Sequence, residues 1–453
     1  MKIAVFVEHD IVVRHFLHSG AFTELERAHD VIFVFPEVGH RRVKSNVDSL
    51  PLGGRVVRIA ESYARLSIWK QLLLTDMLRW RPGAAFRALR RLRRMAVGTK
   101  AILLFGGLSL PGIFQVYRAR AFRKLARMPN HDLEAFFDRE KPDVVVHPSV
   151  LDGVFINDLV ESCTRRSLPL VVLMNSWDNP STKRAVLGVP DWLLVWGPQT
   201  KAHAIRFMGM KPERTIEFGA AQFDVYRTPP RMDRAEFCRR HGIEPAAKIL
   251  LYAGSSKETD EYAHLIALDE AIERGQLGQT VVVYRPHPWG DGGKDGARVV
   301  DRAWRHVRIE STMRGYLEGV KAGNRAITLP DYRDTHDVLC AVDALVSPLS
   351  TIILEAALHG KPALCFLPDE DALHLRMSLP LIHFEEFFRS TVFHSARGIG
   401  ALVDGVRHLL AEIDDPAAAA RYREAAQFFA RSFDRPYPER LREFIEGVAR
   451  PAA

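Results

Sequence analysis

A chain of 453 residues exceeds what one hydrophobic core usually supports, so two domains are expected; 47% hydrophobic and 26% charged residues without a low-complexity tract exclude a disordered or fibrous protein. Cys163, Cys238, Cys340 and Cys365 lie far apart, with no C-x-x-C pair and no histidine read at ligand spacing beside them, which argues against a structural zinc or a disulfide framework and for a reducing, cytoplasmic compartment. The net charge of +8 is unevenly placed: thirteen Lys or Arg and no Asp or Glu fall between Met77 and His131, so the rest of the chain stands at −5.

In chain order, Met1 and Lys2 run into IAVFV, which Glu8 and Asp10 close without a small-residue cleavage site, so no signal peptide is expected. KIAVFVE (Lys2 to Glu8) reads as a buried strand, followed by a helix to about Arg27 and a strand DVIFVF from Asp30. Phe86, Leu89, Leu92 and Ala96 then fall at helical spacing, with Arg87, Arg90, Arg91 and Arg94 largely off that line. AILLFGGLSLPGIF follows, too short to span a bilayer and broken by Gly and Pro, and then Arg118, Arg120, Arg123, Lys124 and Arg127. Two readings compete for Arg79 to Arg127: helices packed in the domain with arginines in water, or a face lying on an anionic membrane. Nucleic acid is disfavoured, because no stacking aromatics interleave with the basic residues.

Strands DVVVH (Asp143 to His147), LPLVVLM (Leu168 to Met174) and DWLLVW (Asp191 to Trp196) alternate with helical patterns beginning near Gly153 and Pro198. YRTPPRMD (Tyr226 to Asp233) breaks the pattern. It restarts with KILLYAG (Lys248 to Gly254), TVVVYRPHP (Thr280 to Pro288), ALVSP (Ala344 to Pro348) and PALCF (Pro362 to Phe366). All-apolar strands alternating with helices mean parallel sheets covered on both faces. The fold class is therefore α/β, two Rossmann-like domains facing across a cleft, with a basic helical insertion in the first. The expected boundaries are 1–227 (insertion about 66–130), 228–415, and C-terminal helices over 416–453 that return to the first domain, Leu441, Phe444, Ile445 and Val448 on one side of the last.

Open parallel sheets bind ligands beyond the carboxyl ends of their strands. The strongest signal there is VDALVSPLSTIILEAALHGKPALCF (Val342 to Phe366). A helix starting near Ser350 and Thr351 offers unpaired N–H groups, two hydroxyls and a favourable dipole to a phosphate, and Glu355, one turn in, is placed to accept ribose hydroxyls. The competing reading is an ordinary capped helix.

The S-x-x-S-T-x-x-x-E-A…G-K-P pattern resembles the donor-binding element of GT-B glycosyltransferases, closest to the bacterial surface-polysaccharide branch beside CDP-glycerol glycerophosphotransferases and capsule Kdo or sialic acid transferases. Arg285-Pro286-His287-Pro288 resembles that branch's R/K-P-H-P element, NSWDNPSTK (Asn175 to Lys183) its W-D-N-x-x-x-K stretch, and FGAAQFD (Phe218 to Asp224) the G-x-x-x-F-D that closes the first domain. The likeness runs from about Asp143 to Phe366.

The resemblance implies a nucleotide-activated donor, a glycan or glycolipid acceptor and metal-independent chemistry; no D-x-D pair suits a divalent ion, so no metal is expected. Ser350, Thr351, Gly254, Ser255 and Ser256 are candidate phosphate donors, joined by Arg285 and Lys183, with Glu355 on the ribose. His287 is a candidate phosphate contact or base, Asp178 a rival base, and His9 with Asp10 a further pair. Trp177 is open to sugar stacking or to the core, and Asp152 enters on position alone. Glycosyl transfer leads the functional readings; polyol-phosphate transfer, nucleotide-sugar 2-epimerisation and an inactive binding scaffold stay open.

Overall fold

The computed structural model describes residues 1–37, 43, 47–50, 52–80, 99–151, 153–183, 188–255, 259–287, 296–322, 331–368 and 382–449. Short runs of β-branched and aromatic residues build two wholly parallel sheets. The first carries β1 (Lys2–Phe6), β2 (Asp30–Pro36), β3 (Arg55–Ile59), β4 (Val144–Ser149), β5 (Leu170–Met174), β6 (Trp192–Val195) and β7 (Thr215–Glu217) in the order β3-β2-β1-β4-β5-β6-β7. The second carries β8 (Lys248–Ala253), β9 (Thr280–Arg285), β10 (Val307–Ile309), β11 (Ala344–Ser347), β12 (Ala363–Leu367) and β13 (His394–Arg397) in the order β10-β9-β8-β11-β12-β13. They lie in two units, residues 1–222 with 431–453 and residues 223–430. In each, strand order reverses beside the first strand, between β1 and β4 and between β8 and β11, and a ligand crevice opens at such a reversal.

Every strand named from the sequence forms. The four it did not name, β3, β7, β10 and β13, are the four sheet edges. An edge strand is covered less completely, so its residues need not be uniformly apolar: β3 reads RVVRI and β13 HSAR.

The inserted helices Tyr63–Trp80 and Pro111–Ala126 pack through Trp69, Leu72, Ala121 and Leu125. Arg65 anchors them: buried, it donates from Nε to Asp158 Oδ1 (2.9 Å) and from Nη1 to the Leu125 carbonyl (2.7 Å), while Trp69 Nε1 donates to the same Asp158 oxygen (2.6 Å). The expected basic helix from Phe86 to Ala96 lies outside the described residues. Among described residues no helix is long and apolar enough to cross a membrane.

The residues grouped from the sequence as 416–453 divide. The Ala418–Gln427 helix stays in the second unit against the Ile352–Leu358 helix, where Gly360 (φ +70°) makes room: a Cβ there would stand 3.0 Å from Ala419 Cβ. Only the Tyr437–Ala449 helix enters the first unit, burying Leu441 and Ile445, with Phe444 and Val448 partly covered. The small Ala face of the earlier helix suits close packing beside a glycine; the last helix carries the larger apolar side chains.

Candidate donor-binding site

β11 ends at Ser347, Pro348 turns the chain, and Thr351 stands at the N-cap of the Ile352–Leu358 helix. The carbonyls of Ser350 and Thr351 accept from the amides of Ile353 (3.4 Å) and Leu354 (2.9 Å), closing the first turn. Their hydroxyls, half-buried, have no hydrogen-bond partner among the described residues. Glu355 is buried at 7% exposure, and its Oε2 accepts the hydroxyl of Tyr226 at 2.5 Å. Tyr226 stacks on Phe223 with centroids 5.2 Å apart. It was passed over in the sequence because it opens the proline-rich break, and nothing local marks a linker tyrosine as a partner for a carboxylate 129 residues on.

The Gly254–Ser255 end of β8 differs from expectation. Ser255 is buried; its amide donates to Glu261 Oε1 (2.7 Å) and its hydroxyl meets Thr259 Oγ1 (2.6 Å). The other Glu261 oxygen accepts from Tyr284, and a Cβ on Gly254 would fall 2.5 Å from the carboxylate. Both polar groups of Ser255 are thus engaged within the unit, where the sequence reading had them facing a phosphate; Ser256 lies outside the described residues. Burial pushes the Glu261 carboxyl up to about 7. Because the folded protein then holds a proton that the unfolded chain releases near pH 4.5, Glu261 contributes stability that is full below 4.5 and lost as pH rises towards 7. Urea denaturation should show about 3 kcal/mol of such loss, and Glu261→Gln should remove the slope; an unchanged slope refutes the assignment.

Arg285, a candidate phosphate ligand, is likewise committed elsewhere. Buried, it donates to Glu310 Oε2 at 2.7 Å, with Thr312 and Thr335 hydroxyls at 3.3 Å. His287 follows, half-buried, just before residues outside the description.

In the first unit, Glu8 is buried past the end of β1, where its Oε2 accepts the amides of Val154 (2.5 Å) and Phe155 (2.9 Å) at the start of the Ile156–Arg166 helix. His147 Nε2 lies 3.0 Å from Glu8 Oε1. The sequence reading placed both residues at the ends of buried strands without pairing them. His9 Nδ1 accepts the Ile11 amide (3.1 Å), which engages that ring nitrogen in the turn. Asp10, half-buried, begins the Asp10–Val12 turn. Asp178, half-buried, accepts from Asn179 Nδ2 at 3.1 Å inside a wide turn over Asn179–Lys183. Trp177 is core, at 3% exposure. The Lys183 side chain and Asp152 lie outside the described residues.

Comparison with known proteins gives three results. Residues 184–376 match the sequence model of the CDP-Glycerol:Poly(glycerophosphate) glycerophosphotransferase family. No curated protein matches the sequence. Among solved structures, a protein from Listeria monocytogenes assigned as a UDP-N-acetylglucosamine 2-epimerase covers 98% of this chain and 96% of its own at 11% identity and TM-score 0.54. CalG4, the calicheamicin glycosyltransferase, covers 99% and 98% at 14% identity and TM-score 0.50. At such identities these likenesses establish the fold. The chain thus has the two Rossmann-like parallel-sheet units of the GT-B type, and its residues 184–376 carry the sequence pattern of the glycerophosphotransferase family.

Proposed function

We propose that this protein takes a nucleotide-activated donor and transfers the carried group to an acceptor hydroxyl in the building of a bacterial surface polysaccharide. One observation carries the reading: the β11-to-Glu355 element, with two unpartnered hydroxyls at a helix start and a buried carboxylate one turn in, falls inside the stretch matched by a transferase family. Ser350 and Thr351 hold the donor phosphate and Glu355 the ribose, without a metal in the chemistry. His287 and Asp178 are the candidates for accepting the acceptor's proton, and Lys183 for meeting a phosphate. Glycosyl transfer is the first reading. Polyol-phosphate transfer from a CDP-linked donor is the second, favoured by the family match.

A thermal-shift panel of UDP, GDP, CMP, CDP and dTDP tests both. At a hundredfold excess over its dissociation constant one nucleotide should add about 2.7 kcal/mol, a rise of roughly 5–10 °C. A preference for CDP supports polyol-phosphate transfer, one for UDP or GDP glycosyl transfer, and no response to any removes both. With the preferred donor, His287→Ala should abolish turnover while nucleotide binding persists; turnover at the wild-type rate ends its assignment.

We further read the insertion as a docking face for anionic lipid at the cytoplasmic surface of the membrane, which suits a glycolipid acceptor. Leu103 (71% exposed), Leu104, Leu110, Ile113 and Val116 stand in solvent beside exposed Arg118, Arg120, Arg123, Lys124 and Arg127, while the opposite side packs on Trp69 and Leu72. Apolar side chains entering the interface and basic residues worth about 1 kcal/mol each near an anionic surface act together. Changing Leu103, Leu104, Ile113 and Val116 to Ser should lower retention on phosphatidylserine vesicles roughly tenfold or more. Equal retention, or a dimer-to-monomer change without a change in retention, returns the face to another role.

A further inference from the structure

The Tyr332–Ala341 helix carries His336 and Cys340 one turn apart on one face, and His359 caps the end of the Ile352–Leu358 helix. Their ligand atoms all lie within 4.8 Å of one another. His336 Nδ1 is 2.8 Å from His359 Nε2 and 3.6 Å from Cys340 Sγ. Each ring is also fixed from behind. His336 Nε2 is 2.8 Å from the Thr228 carbonyl oxygen, and His359 Nδ1 is 2.7 Å from the Glu355 carbonyl oxygen.

A carbonyl oxygen only accepts, so both outer nitrogens carry hydrogen. A neutral imidazole has one N–H, and both facing nitrogens therefore present lone pairs to each other at 2.8 Å. Two lone pairs at that distance repel unless a cation lies between them. The single Cys340 thiol hydrogen is a weak donor and serves one nitrogen at most.

We propose that His336, Cys340 and His359 bind a borderline-soft divalent cation of the zinc class. Backbone carbonyls holding the outer N–H groups are the support that ligating histidines require, since they fix tautomer and ring orientation. Two imidazoles and a thiolate suit zinc. Tetrahedral zinc sets N···N near about 3.3 Å and N···S near about 3.6 Å; Cys340 Sγ is 3.6 Å from His336 Nδ1 and 3.9 Å from its Nε2, against the ring face, so binding parts the rings by about half an ångström and swings the thiol off that face towards the Nδ1 lone pair. Cys340 and His359 are partly exposed, which leaves an entry path and a fourth position for water.

The ion would brace the donor element from behind. Tyr226 packs edge-on to His359 (centroids 4.4 Å) and stacks on His336 (5.5 Å) while giving its hydroxyl to Glu355. The proposal does not depend on the transferase reading. The sequence reading found no histidine at ligand spacing beside the cysteines, but His336 stands four residues before Cys340, and His359 completes the set only through the fold.

The test uses the full chain stripped with a chelator and titrated with Co²⁺, then Zn²⁺. One equivalent of Co²⁺ should give visible d–d bands and a thiolate charge-transfer band, which Zn²⁺ bleaches while raising Tm. Cys340→Ser should abolish the charge-transfer band and weaken binding roughly tenfold or more. His359→Ala should weaken the d–d bands with an unchanged far-UV spectrum. Three results overturn the proposal: no saturable Co²⁺ absorption by the wild-type protein, a Co²⁺ spectrum identical in both variants, or a shared downfield N–H proton that persists at neutral pH under excess Zn²⁺.

Discussion

Arg285→Ala should cost about 3–5 kcal/mol of stability, enough to leave little folded second unit at 37 °C. Arg285 and Glu310 are 5% and 2% exposed, and the guanidinium is the charge partner of that carboxylate. Glu310 also accepts the Thr312 amide (2.9 Å) and hydroxyl (2.5 Å), which do not neutralise it. Truncating the arginine strands a buried charge, and the cost of an unpaired ion exceeds the net worth of the pair. The double variant Arg285→Met, Glu310→Met should therefore recover most of the loss, which urea denaturation measures as a coupling energy. If Arg285→Ala instead keeps wild-type stability and loses nucleotide affinity, Arg285 is a phosphate ligand after all.

Glu355→Ala should weaken binding of the preferred nucleotide by roughly 10–100-fold, the loss of one or two hydrogen bonds to a charged acceptor. The carboxylate already accepts the Tyr226 hydroxyl, so two controls separate its roles. Tyr226→Phe leaves the acid in place and should keep affinity within a few-fold. Glu355→Gln keeps the shape but gives up the charge, and should fall between. Calorimetry on folded protein reads all three; unchanged affinity in Glu355→Ala removes the ribose role.

How far the sequence could be read follows from where each residue keeps its partners. The nine strands it named are the inner ones, whose apolar runs follow directly from burial on both faces. The Ser350–Thr351–Glu355 element was legible because a strand end, a turn and a helix start are neighbours in sequence. Arg285 and Ser255 show the opposite case. Each sits at a strand end, which is where ligands bind, but Glu310 and Glu261 take their donors, and no local pattern announces those acids.

The amino-acid order alone thus determined the alternating architecture, the break near residue 226, the concentration of positive charge between Met77 and His131 and the strand–turn–helix element after β11. Only the tertiary structure decided which polar groups remain available to a ligand. Hydrophobic periodicity is a local property, carried by residues a few positions apart. The pairing of a buried donor with its acceptor is settled by crossovers that bring together Tyr226 and Glu355, or His336 and His359, from distant parts of the chain.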